Sequence, residues 1–116
     1  MSLRKVPVMI DKERSLLFRI PDLTDLGRAS GGKSMVEILN RLASIDLDVL
    51  ILTLQHGLRH EDRRLTREQV ADMLQKYVDA GDQGLQPILT ALNEAIEASG
   101  IISRRRDGAP GEATPA

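Results

Sequence analysis

Residues 46–59, DLDVLILTLQHGLR, decide the fold. On a helix turning about 100° per residue, Leu47, Leu50, Ile51, Leu54 and Leu58 fall on one side. Val49 and Leu52 fall almost opposite, with His56 between them and His60 close by. A helix that is apolar on two faces is buried between neighbours rather than laid on a surface. A short buried strand over residues 49–54 would share the pattern. The pattern continues to Leu58, however, with no Gly or Pro before Gly57. The stretch therefore predicts the central helix of a small, mostly helical domain.

Upstream of it, Ser34 and Glu37 have the spacing of a capping box, and Met35, Ile38, Leu39 and Leu42 follow at helical intervals. That helix should end near Ser44, with Asp46 opening the central one. Asp22 is placed to cap a shorter helix through Leu23 and Leu26, stopped by Ser30, Gly31 and Gly32. Earlier still, Val6, Val8 and Ile10 alternate with other residues, as do Leu16, Phe18 and Ile20, around a polar break at residues 11–14. This predicts a β-hairpin with one apolar face. Pro7 lacks an amide donor, which suits an edge strand. An isolated hairpin is marginal in water, so it should lie on the helices.

Downstream, Thr66 and Gln69 form a second capping box, and Leu65 and Val70 occupy the two positions of a hydrophobic staple. Val70, Met73, Leu74, Tyr77 and Val78 continue as a stripe toward Gly81, a natural helix stop. Leu85, Ile88, Leu89, Leu92, Ala95 and Ile96 predict a last helix, with Pro87 in its first turn and Gly100 closing it. The expected fold is mainly α (α+β), an N-terminal β-hairpin packed on a small bundle of four to five helices. Residues 1–102 form one domain in this reading, and residues 103–116, without an apolar pattern, a disordered tail.

Composition narrows the function. The 116 residues suit a single domain. Aromatics make up only 2%, which argues against base stacking on single-stranded nucleic acid. The net charge of −1 supplies no global field for nucleic acid or anionic membrane. There is no cysteine, hence no thiol catalysis and no thiolate metal site. No apolar run approaches transmembrane length and no signal-peptide core stands at the N-terminus, so a cytoplasmic protein is expected.

Three motifs bear on chemistry. Residues 27–34, GRASGGKS, match the phosphate-cradling loop G-x-x-x-x-G-K-[ST]. Such a loop follows a buried strand, whereas Asp22 and Asp25 charge the preceding segment here, so an interhelical loop with a Ser cap is expected instead. His56 and His60 stand four apart, a spacing that can bring two imidazoles to one metal. Gly57 stands where a zinc protease would need Glu, and no metal or other cofactor is expected. LTREQVADML at residues 65–74 looks like the first helix of a helix-turn-helix, yet no sharp turn or basic second helix follows.

The order of features resembles the small tail assembly chaperones of tailed phages, including relatives in gene transfer agents. The matching residues are Ile10-Asp11, Phe18-Arg19, Leu39, Leu42, then Gly57-Leu58-Arg59-His60-Glu61-Asp62 and Leu65-Thr66. The likeness covers residues 9–98 and departs at Lys12, where the family's turn glycine would stand, and at Arg28, often acidic there. It implies a non-enzymatic protein that keeps the tape-measure protein soluble in the host cytoplasm and leaves before the virion is complete. The four Met residues and the many Leu are compatible with an adaptable apolar binding surface. Val49, Leu52, His56 and His60 are the expected partner-binding face, and self-association is a further expectation. A small nucleotide- or DNA-binding regulatory domain is the alternative.

Overall fold

The computed structural model describes residues 5–101, so the expected tail lies outside the described residues. In chain order they form β1 (Val6–Met9), β2 (Glu13–Leu16), α1 (Ile20–Ala29), α2 (Met35–Ala43), α3 (Leu47–Gly57), α4 (Arg67–Ala80) and α5 (Gln86–Ala98). A hairpin followed by five helices is the α+β arrangement that the periodicities predict. Among the described residues, no helix is long and apolar enough to cross a membrane.

Helix α3 is central. The Asp46 carboxylate accepts the Val49 N–H and opens it. Val49, Leu50, Leu52, Thr53, Leu54, His56 and Gly57 are all buried, so both apolar faces meet protein. The helix comes close to α1, α2, α4, α5 and β2. The one hydroxyl inside it, on Thr53, donates back to the Val49 carbonyl at 2.6 Å and avoids an unpaired buried polar group.

The hairpin is shorter at its turn than the alternation suggests. Met9 pairs with Glu13 and Val8 with Arg14, which leaves residues 10–12 as the turn. Arg14 is therefore a strand residue on the inner face, buried, and its guanidinium is tied back to Asp11 at 2.7 and 2.9 Å. The second strand also ends sooner than predicted. Ile20 belongs to α1 and is 65% exposed, because Pro21 sits in the first turn of that helix, where its fixed φ is suited.

Capping chemistry decides the helix ends. At α4, Thr66 accepts from the Gln69 N–H and Gln69 accepts from the Thr66 N–H, completing the predicted box. At α2 only half of one forms. Ser34 accepts from the Glu37 N–H, but the Glu37 carboxylate turns to Arg41 at 3.2 Å. Asp22 does not open α1 as expected. Arg19 stands at the cap, and Asp22, in the third helical position, accepts the Arg19 N–H at 3.0 Å.

The hairpin meets α3 at Gly57. A Cβ built there would lie 2.8 Å from Phe18 Cζ and 3.0 Å from Leu16 Cδ2. The Gly57 carbonyl accepts the Leu17 N–H at 3.0 Å, so backbone and side chains lock together at one point. Phe18 and Leu16 are fully buried and have little room to retreat. Gly57→Ala should therefore lower stability by about 1–3 kcal/mol, read as a shifted chemical-denaturation midpoint. An unchanged midpoint would mean that the aromatic ring yields freely.

Candidate functional site

The segment after α3, Leu58 to Asp62, runs back across the hairpin and α1. Leu58 is fully buried, and its carbonyl accepts the Glu61 and Asp62 N–H groups, which curls the chain tightly. That curl aims three polar side chains at earlier elements. Arg59 reaches Asp22 at 2.7 Å and Asp25 at 3.0 Å on α1. Glu61 Oε2 accepts the Ser15 hydroxyl at 2.7 Å and the Ser15 N–H at 3.1 Å. His60 Nε2 lies 3.0 Å from the same hydroxyl.

Asp22 is the buried centre of this network, 1% exposed. Burial pushes its carboxyl pKa up, but hydrogen bonds from the Arg19 side chain and backbone and from Arg59 outweigh that and hold it below the usual carboxylate range. Asp11 is held down to about 2, chiefly by the Arg14 guanidinium.

Ser15, His60 and Glu61 bring together the residue types of a nucleophilic triad, which their sequence positions do not reveal. Their geometry is different. Glu61 binds the serine hydroxyl instead of the imidazole. His60 Nδ1 lies 3.1 Å from the Gly57 carbonyl, which can only accept, so this nitrogen carries a proton and donates it there. Base and carboxylate both hold the hairpin, and neither orients the other for proton transfer.

Of the residues expected to face a partner, Val49, Leu52 and His56 are buried in the core. His56 Nδ1 donates to the Leu52 carbonyl at 2.8 Å within α3. The second apolar face of α3 is therefore covered from inside the chain, because α3 comes close to five other elements. His60 is half-buried and engaged by Ser15 and Gly57. No cluster of three or more metal-binding side chains occurs among the described residues.

The GRASGGKS stretch begins within the last turn of α1, at Gly27 to Ala29, and not after a strand. Gly31 and Gly32 take positive φ values of 89° and 86°, which turn the chain out of α1. Lys33 Nζ donates to the Ser30 carbonyl at 2.7 Å, and Ser34 caps α2. Helix α4 runs on to Ala80 without the turn of a helix-turn-helix, and α5 contains Glu94 and Glu97 but no Lys or Arg.

The open apolar surface lies elsewhere. Helix α4 comes close to α3 and to no other element, so its apolar stripe outruns the body that supports it. Val70 is fully buried, Tyr77 is half-buried and Val78 is 39% exposed. Between the C-terminal half of α4 and the hairpin turn lies a groove of about 490 Å³, lined by Ile10, Met73, Tyr77 and Ala80 and flanked by Lys76 and Asp82. The sequence shows the stripe but not its overhang, which depends on where α3 stops supporting it.

No protein-family model, curated protein or solved structure matches the chain.

Two outcomes are expected at these sites. A carboxyl held below its usual range contributes stability that is present above the unfolded value near ~3.9 and is lost as the folded form is protonated. Stability should therefore fall as pH drops from about 4 toward the Asp11 value of about 2. Asp22→Asn should cost about 2–3 kcal/mol at neutral pH, because Arg59 loses its buried partner, and should flatten the acid slope. Urea melts across that pH range check both. At the glycine loop, calorimetry should find no saturable, magnesium-dependent binding of ATP or GTP. Micromolar binding abolished by Lys33→Ala would overturn that reading.

Proposed function

We propose that the chain is a non-enzymatic binding protein, a phage tail assembly chaperone that holds an apolar helical stretch of a tape-measure protein in the groove between α4 and the hairpin turn. The overhanging stripe carries the reading. A helix whose apolar face continues past its own support offers Tyr77 and Val78 to a partner. A groove with apolar walls and a charged rim suits one face of an amphipathic helix. Met73 in the groove wall adds a side chain that repacks around differing shapes.

The resemblance at residues 57–62 and 65–66 supplies the identity of that partner and the setting of tail morphogenesis in the host cytoplasm. Capture of an aggregation-prone partner needs no reacting group. A polar cluster fully occupied in holding the hairpin is consistent with that. Self-association through the same groove in the free state is part of the proposal, since it would cover the stripe until the partner arrives.

Co-expression with the tape-measure protein of the same genome should keep that protein soluble and give a complex that survives gel filtration. Tyr77→Asp combined with Val78→Asp should abolish the complex while leaving the circular dichroism of the chaperone unchanged. If the tape-measure protein is equally insoluble with and without this chain, the chaperone reading is wrong.

A further inference from the structure

The stretch GRASGGKS has a second structural consequence besides stopping α1. With α1 and Ile101 it walls a groove of about 360 Å³ on the side of Ile20. Ile20, Leu23, Met35 and Ile101 supply its apolar surface, and Ile20 and Ile101 are 65% and 43% exposed. Gly27 keeps the wall thin. A Cβ there would lie 3.3 Å from the Lys33 carbonyl.

Among the described residues that line this groove, the charged ones, Arg28 and Lys33, are both cations. Lys33 is fixed at the edge by its bond to the Ser30 carbonyl. Arg28 extends into solvent, 79% exposed, with only a long 3.7 Å contact to Asp25. That carboxylate is already held by Arg59 at 3.0 Å, so it does little to neutralise Arg28.

We infer that this groove is a second interaction surface, taking an acidic amphipathic segment of a protein partner with its apolar side chains on Ile20, Leu23 and Met35 and its carboxylates on Arg28 and Lys33. Charge complementarity selects this occupant. A basic helix would face two cations, and an uncharged one would leave them without counter-charge. A phosphate group alone fits less well, since it would leave the apolar walls at Ile20, Leu23 and Met35 uncovered. The inference is independent of the groove beside α4.

The test uses the full chain and two labelled synthetic amphipathic helices of one pattern, one built from Leu and Glu, the other from Leu and Lys. Fluorescence anisotropy at low salt should show saturable binding of the Leu/Glu helix and none of the Leu/Lys helix. Arg28→Glu with Lys33→Glu should weaken binding about tenfold, and raising the salt should act in the same direction. Ile20→Ser should also weaken it, with circular dichroism unchanged, because that side chain is exposed in the free chain. Tyr77→Asp should have no effect; loss of binding in that variant would move the peptide to the α4 groove and overturn the inference. Equal binding of both helices, or binding to anionic vesicles in preference to the Leu/Glu helix, would overturn it as well.

Discussion

The hairpin can dock only because α3 ends on a residue without a side chain. Phe18 and Leu16 fill the space that a Cβ on Gly57 would need, while the Gly57 carbonyl takes the Leu17 N–H. Together with the packing of both strands on α5, this contact sets the distance between strand layer and helix layer. It also fixes where the chain leaves α3, and so where the next residues point. A two-stranded sheet needs such support, and α5, which both strands approach, supplies the rest.

From that point the polar segment acts as a clasp. Arg59 draws α1 in through Asp22 and Asp25, and His60 and Glu61 hold Ser15 of β2. Apolar burial alone is non-directional and would tolerate sliding of the hairpin over the helices. Hydrogen bonds with fixed partners remove that freedom. The arrangement also has a cost, since Arg59 Nε is buried with no acceptor. The residues 57–62 that carry most of the resemblance thus have a structural role in this chain, and of the matching residues Ile10 and Asp11 line the groove proposed to bind a partner.

Much of the architecture was legible because it rests on local rules. Two-faced periodicity marked α3, and the Thr66–Gln69 box and Pro87 marked the starts of α4 and α5. What was missed depended on side-chain pairings, one local and one distant in sequence. Arg14 reads as a turn residue until Asp11 is seen to neutralise it on the inner face. Asp22 reads as a cap until Arg59, far along the chain, makes its burial tolerable. The predicted partner face of Val49, Leu52 and His56 had the right apolar character, but periodicity cannot say whether a second apolar face meets the same chain or another one.

The same limit explains where apolar surface is left over. Helix α3 comes close to five other elements, so its two apolar faces are covered inside the fold except at Leu47 in its first turn, which is 56% exposed. Helices at the margin have one neighbour or two, and their stripes end in the open: Tyr77 and Val78 on α4, Ile20 on α1. The turn between α2 and α3 adds a further case. Ile45 adopts φ 57°, a conformation costly for a β-branched residue, within a helix stop that glycine usually fills. Its side chain is half exposed, so burial does not offset that strain. Surplus apolar surface in this fold therefore gathers at helix ends and corners, where a partner helix can reach it without disturbing the core.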